Sequence, residues 1–149
     1  MSKAVFWIAM LSLSAWIAWM AADNDYPYRY KDWPESKIIP SVARPGQTVL
    51  SDWTFTKPVR RTCPATIQRF YTDTDSASKT FGKTYTGDIT AASLAVKIGD
   101  SGLARYFDLP PYLPPQVDYG VQICWQCNLY QQFVQPLCMM TPKLPLTVR

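Results

Sequence analysis

The residues whose spacing most invites chemistry are four cysteines: Cys63 alone, Cys124 and Cys127 as a CxxC, and Cys138 beyond them. A CxxC carries thiol–disulfide exchange when a helix N-terminus or a nearby cation lowers the pKa of one thiol. Cys124-Trp125-Gln126-Cys127 lies instead in an alternating apolar pattern, with no helical pattern after it and no His or Lys beside it. Redox chemistry is therefore the weakest of the readings weighed below. A zinc ribbon needs two closely spaced pairs, and one CxxC with two scattered cysteines does not supply them, so no metal is expected. Structural disulfides are the favoured reading, each loop closure contributing on the order of 2–4 kcal/mol.

Four cysteines allow three pairings. Cys127 shares strand parity with Val121, Ile123 and Trp125, Cys63 shares it with Ala65 and Ile67, and Cys124 falls with Gln122 and Gln126. Parity thus favours a core bridge Cys63–Cys127, with Cys124–Cys138 pinning residues 128–137 to the outer face. Cys63–Cys124 with Cys127–Cys138 is the alternative.

Acid–base chemistry has little to work with. The chain of 149 residues has no histidine, and a single glutamate, Glu35, stands beside ten scattered aspartates. Asp73 and Asp75 form a lone D-x-D, too few carboxylates for calcium, and read as a solvated turn. No catalytic residue and no cofactor is expected. Lys57, Arg60, Arg61 and Arg69 form a small basic patch that reads as a solvated face. A net charge of +4 does not make nucleic acid an expected partner.

Two kinds of element must position these residues. Val5 to Ala22 contains no charged residue and would span roughly 27 Å as a helix, near the thickness of a bilayer core. Signal peptidase requires small residues at −3 and −1, whereas cleavage after Ala22 or Ala21 would place Met20 or Trp19 at −3. A retained membrane anchor over residues 1–22 is thus favoured over a cleaved signal. Ser14, Ala18 and Ala22 share one helix face, a pattern that permits close helix contact in lipid. Residues 23–35 alternate tyrosines with charges and read as an aromatic juxtamembrane stalk, with Tyr26, Tyr28, Tyr30 and Trp33 at the lipid headgroups. The cysteines suit an oxidising compartment, which places the rest of the chain outside the cytoplasm, in the periplasm of an inner-membrane, single-pass protein.

Residues 36–149 hold most of the 13 prolines, many β-branched and aromatic residues and no convincing helical period. Strands are expected at 47–56, 63–71, 80–86, 94–98, 103–109, 119–127 and 144–148, with a Pro-rich extended stretch at 110–115. This pattern predicts an all-β, antiparallel sandwich of immunoglobulin-like type behind one N-terminal transmembrane helix. Jelly-roll and barrel topologies remain open. Trp53 and Trp125 fall on apolar strand faces and suit a core. Residues 125–138 place large aromatics and amides in a loop braced by cysteines, an arrangement suited to recognition, with Trp125, Asn128, Tyr130 and Phe133 as its contact residues. A loop that merely caps the sandwich end is the equally weighted alternative.

The segments Arg61-Thr62-Cys63-Pro64-Ala65-Thr66-Ile67-Gln68-Arg69-Phe70, Cys124-Trp125-Gln126-Cys127-Asn128-Leu129-Tyr130 and Val134-Gln135-Pro136-Leu137-Cys138 carry a resemblance. Together they resemble a loose group of small proteins encoded by tailed bacteriophages, especially of marine bacteria. Members of that group combine one N-terminal membrane span with an immunoglobulin-like extracytoplasmic domain. The resemblance covers most of residues 36–149 and implies an architecture but no activity.

The leading expectation is a phage- or prophage-encoded, membrane-anchored interaction protein that is not an enzyme. It would act at the host envelope or in a membrane complex, with membrane lipid and an envelope protein as partners. A glycan-binding module using Tyr112, Tyr130 and Trp33 is the alternative, and a thiol–disulfide oxidoreductase comes third.

Overall fold

The structure, a computed structural model, describes residues 3–23, 25–27, 29–30, 36–57, 61–92 and 99–149. The expected strand at 94–98 lies outside them. The element order is α1 (Lys3–Ala21), β1 (Arg29–Tyr30), β2 (Lys37–Ile39), β3 (Val42–Ala43), β4 (Thr48–Lys57), β5 (Ala65–Asp73), β6 (Thr84–Ala92), β7 (Gly99–Asp108), β8 (Gln116–Trp125), α2 (Leu129–Phe133), β9 (Leu137–Met140) and β10 (Leu144–Val148).

The strands form two sheets. In the first, β4 pairs along its whole length with β7, from Thr48 opposite Asp108 to Lys57 opposite Gly99. Its other edge carries β2 and β1 end to end. In the second, β8 lies between β5 and an edge shared by β9 and β10, with β6 beyond β5 and β3 beyond β10. All described pairings are antiparallel except β3 with β10. The chain passes from the first sheet to the second between Ile39 and Val42. Pro40, which has no N–H to donate, interrupts the ladder there.

Alternation sets the core. The odd-numbered residues of β4 point inward, so Val49, Trp53 and Phe55 are buried. From the second sheet Tyr71, Tyr119, Val121, Ile123 and Trp125 face them. Phe107 stacks on Tyr119 with centroids 5.0 Å apart, and Trp53 lies 6.2 Å from the same ring. Each such side chain contributes about 1.5–3 kcal/mol by leaving water. Burial in this cluster pushes the Tyr71 hydroxyl well above the usual phenol range and raises that of Tyr119.

Four expectations are corrected here. The third strand begins at Thr84 rather than 80, because Gly82 takes a left-handed turn with φ of 77°. Asp73 is not in a solvated turn: it is buried, and its carboxylate accepts from Thr80 Oγ1 (2.6 Å), Ser78 Oγ (2.8 Å) and the Asp75 amide (3.0 Å). Those bonds, the one from Thr80 foremost, hold its pKa below the usual value. Within the expected stalk, the described residues Pro27, which is buried, and Arg29–Tyr30, which pair with β4, join the β domain, while 24, 28 and 31–35 lie outside the described residues. Finally, residues 125–138 are not a loop: they hold the end of β8, the helix α2 and the start of β9.

Candidate functional site

The last turn of α1 has an amide-rich seat on the β domain. A helix leaves its last four carbonyls without partners. Asn128 Nδ2 donates to the Met20 carbonyl at 3.2 Å, and Gln131 Nε2 donates to the Asp23 carbonyl at 2.9 Å. Met20 is buried, whereas every other residue of α1 is exposed.

Asp23 brings a negative charge to the negative end of the helix dipole, an unfavourable placement unless it is neutralised. Arg61 neutralises it with a two-pronged grip, Nη1 to Oδ1 at 2.7 Å and Nη2 to Oδ2. Asn128 Nδ2 adds a bond to Oδ2 at 3.2 Å. The hydrogen bonds from Arg61 hold the Asp23 carboxyl below the usual range, and the carboxylate in turn raises the Arg61 guanidinium.

Farther along, the Tyr26 ring stands edge-on to Trp125 with centroids 6.0 Å apart, and its hydroxyl donates to the Cys138 carbonyl at 3.2 Å. The seat itself is rigid. Asn128 caps α2 by accepting from the Gln131 amide at 2.9 Å, and Gln131 Oε1 accepts from the Cys127 amide at 2.9 Å. Cys63–Cys127 ties the chain just before β5 to the chain just after β8, extending a ladder in which Ala65 faces Trp125. Cys124–Cys138 joins residues directly opposite one another on β8 and β9. This is the pairing that parity favours. Its consequence for the CxxC is that Cys124 and Cys127 are bonded to different partners rather than to each other.

Of the four expected contact residues, the structure leaves only Phe133 fully exposed, at 76%. Trp125 is in the core at 1%, because its parity on β8 is that of Val121 and Ile123. Asn128 is turned onto α1, and Tyr130 is half-buried beside Ala21, Gln135 and Pro136. Among the expected headgroup aromatics, Tyr26 packs inside the domain. Tyr28, Trp33 and the Tyr30 side chain lie outside the described residues.

The basic patch does not assemble on a solvated face. Arg61 grips Asp23, and Lys57 is buried with Nζ donating to Thr62 Oγ1 at 3.2 Å. Arg69 points into the inter-sheet space over the Phe107 ring at 4.8 Å, and Arg60 lies outside the described residues. Tyr112 bonds the Thr86 carbonyl at 3.3 Å. That places it near a strand row about 17 Å along β5 from the row of Trp125, so Tyr112 and Tyr130 do not form one sugar-stacking platform. Among the described residues, no three His, Cys, Asp or Glu side chains stand where they could share a metal ion.

Two residues central to the seat, Asp23 and Gln131, carried no functional expectation. Gln131 follows Asn128 by three, the spacing at which an N-cap side chain and a Gln mark a helix start.

No family model matches the sequence, and no curated protein matches it. Among solved structures, the fold is similar to that of Spo0M, a sporulation control protein from Bacillus subtilis, with 10% identity and a TM-score of 0.46. The match covers 84% of this chain and 50% of that one, so the chain spans about half the length of that neighbour.

Proposed function

We propose that this chain is a single-pass, membrane-anchored interaction protein that holds an immunoglobulin-like domain against the outer side of a bacterial inner membrane. The observation that carries this reading is the seat of α1. Asn128, Gln131 and Arg61 converge on Met20 and Asp23, the very residues that flank the sites where a signal peptidase would cut. Cleavage after Ala21 or Ala22 would leave Asp23 with Arg61 and Gln131 but remove the Met20 carbonyl that Asn128 holds, and that bond supports a retained helix. α1 is long and apolar enough to cross a membrane, and its side chains face outward as lipid requires.

The strand arrangement supports the immunoglobulin-like assignment. A first strand divides between two sheets, β4 and β7 continue one sheet, and β5, β6, β8 and the split last strand continue the other, the plan of a variable-type domain. Two cystines support an oxidising compartment. Binding rather than catalysis is supported by the side chains of the seat, which hold one another instead of presenting a free nucleophile or base. The resemblance to phage-encoded anchored proteins supports the host envelope as the place of action.

Expression of the full chain with a C-terminal tag tests the reading. The expected product is uncleaved, stays in the membrane pellet through a high-salt wash, and has a non-reduced mass showing two disulfides. A soluble product lacking residues 1–22 would overturn it.

A further inference from the structure

The region around α2 has a second side that the seat does not use. Gln131 faces inward, while Leu129 and Phe133, four residues apart on the helix, point outward with 51% and 76% exposure. Val134, the C-cap residue of α2, is exposed as well, at 67%. Apolar side chains exposed together on one short element can mark a surface that docks on protein or membrane. The surrounding sequence is also uncharged: between Asp118 and Lys143 there is no Lys, Arg, Asp or Glu.

The position of α2 identifies what covers this face. Its N-cap, Asn128, bonds the Met20 carbonyl, so α2 lies level with the last turn of α1. The 19 residues of α1 rise about 28 Å, close to the hydrocarbon thickness of a bilayer. The last turn is then at the lipid–water boundary, and so is α2. Trp19, exposed at 71% on that turn, suits the same depth. The charge pair at this level, Asp23 with Arg61, is mutually neutralised.

We propose that Leu129, Phe133 and Val134 insert into the headgroup region of the membrane that α1 spans, making α2 a second, shallow attachment that fixes the tilt of the β domain. The partner is lipid, and continuity with the helix–domain joint is what selects it over a second protein. Short amphipathic elements of this kind bury their apolar side about 5–10 Å deep. The inference rests on the anchored reading above and assigns Phe133 to lipid instead of a protein partner.

Photo-cross-linking separates the two ideas. The full chain is reconstituted in phosphatidylethanolamine–phosphatidylglycerol vesicles with p-benzoylphenylalanine at one of three exposed sites: Trp16 on α1, Phe133 on α2, or Tyr106 on the outer face of β7. Before irradiation, a non-reduced mass four hydrogens below that of the fully reduced variant shows that each variant has formed both disulfides. Lipid adducts at 16 and 133, with none above background at 106, are the expected result. Adducts at 16 without any at 133 would overturn the inference and leave the anchor intact, as would capture of a second copy at 133. Equal adducts at 106 and 133 would also overturn it, by showing unspecific contact. Absence of adducts at 16 would overturn the anchored reading and this inference together.

Discussion

Replacing Gln131 with Leu probes the seat most directly. The side chain is 3% exposed and works in two directions, accepting from the Cys127 amide at 2.9 Å and donating to the Asp23 carbonyl at 2.9 Å. Leu fills nearly the same space but satisfies neither backbone group. An unsatisfied buried group costs about 1–3 kcal/mol. Cys127 and Asp23 are both half-buried, so the low end applies to each, giving about 2 kcal/mol in all. That corresponds to roughly a 30-fold shift in the opening equilibrium of the joint. Hydrogen exchange on the full chain in detergent micelles should show the Ala22 amide, which donates to the Ala18 carbonyl at 2.9 Å and keeps that acceptor, exchanging about 30-fold faster in Gln131→Leu. Gln132→Leu, the same chemical change at an exposed neighbour, should leave that amide unaffected. Equal protection of the Ala22 amide in Gln131→Leu and wild type would refute the reasoning, because it would mean that the bonds at Gln131 do not hold the joint closed.

Arg61→Ala should destabilise the joint by about 1 kcal/mol, since the ion pair is two-pronged and only 25% and 19% exposed at its side chains. Because Asp23 has a folded pKa below 3.8, the pair contributes fully above that pH and loses its contribution as pH falls through the lowered value. The stability difference between wild type and Arg61→Ala should therefore shrink on acidification below pH 3.8, and a difference that stays flat would count against the pairing. The two cystines should differ in weight, with Cys63–Cys127 closing a separation of 64 residues and Cys124–Cys138 one of 14. On chain-entropy grounds, replacing the first pair with Ala should cost about 1 kcal/mol more than replacing the second. Urea unfolding of the two paired variants measures this, and the reverse order would contradict it.

Where alternation is strict, as from Val49 to Phe55 and from Tyr119 to Trp125, the strand and its buried face are legible in the residues, and the parity extends to Cys127 although β8 ends two residues before it. Each side chain reports its own face in a period of two. The apolar run of α1 was legible for the same local reason. What escaped were features that depend on distant chain. Arg69 looks like surface charge, but β5 aims it between the sheets, where its guanidinium lies over Phe107. Asp73 looks solvated until Ser78 and Thr80 fold back onto it. α2 has only five residues, too few to display a helical period. Tyr26 reads as a headgroup aromatic because it follows the apolar run, yet its partner, Trp125, is nearly a hundred positions away in sequence. The site itself was the least legible part. Asn128 reads as an amide on a recognition surface, and nothing local shows that its partner is the carbonyl of Met20.

The choice of Asn128 and Gln131 at this joint has a physical reason. A helix end offers only acceptors, while the start of α2 and the end of β8 offer donors, so the connecting side chains must do both. Asn128 accepts from the Gln131 amide while donating to Met20, and Gln131 accepts from Cys127 while donating to Asp23. A lysine could donate but not accept, and a carboxylate could accept but not donate. Either would leave half of the joint unsatisfied and would also carry a charge into a crowded, partly dry boundary, where uncompensated charge is expensive. Primary amides satisfy both sides without charge. The single charge that does enter, on Asp23, arrives with its guanidinium partner already in place. A joint built this way can sit at the edge of a bilayer and still be polar enough to grip the end of an apolar helix.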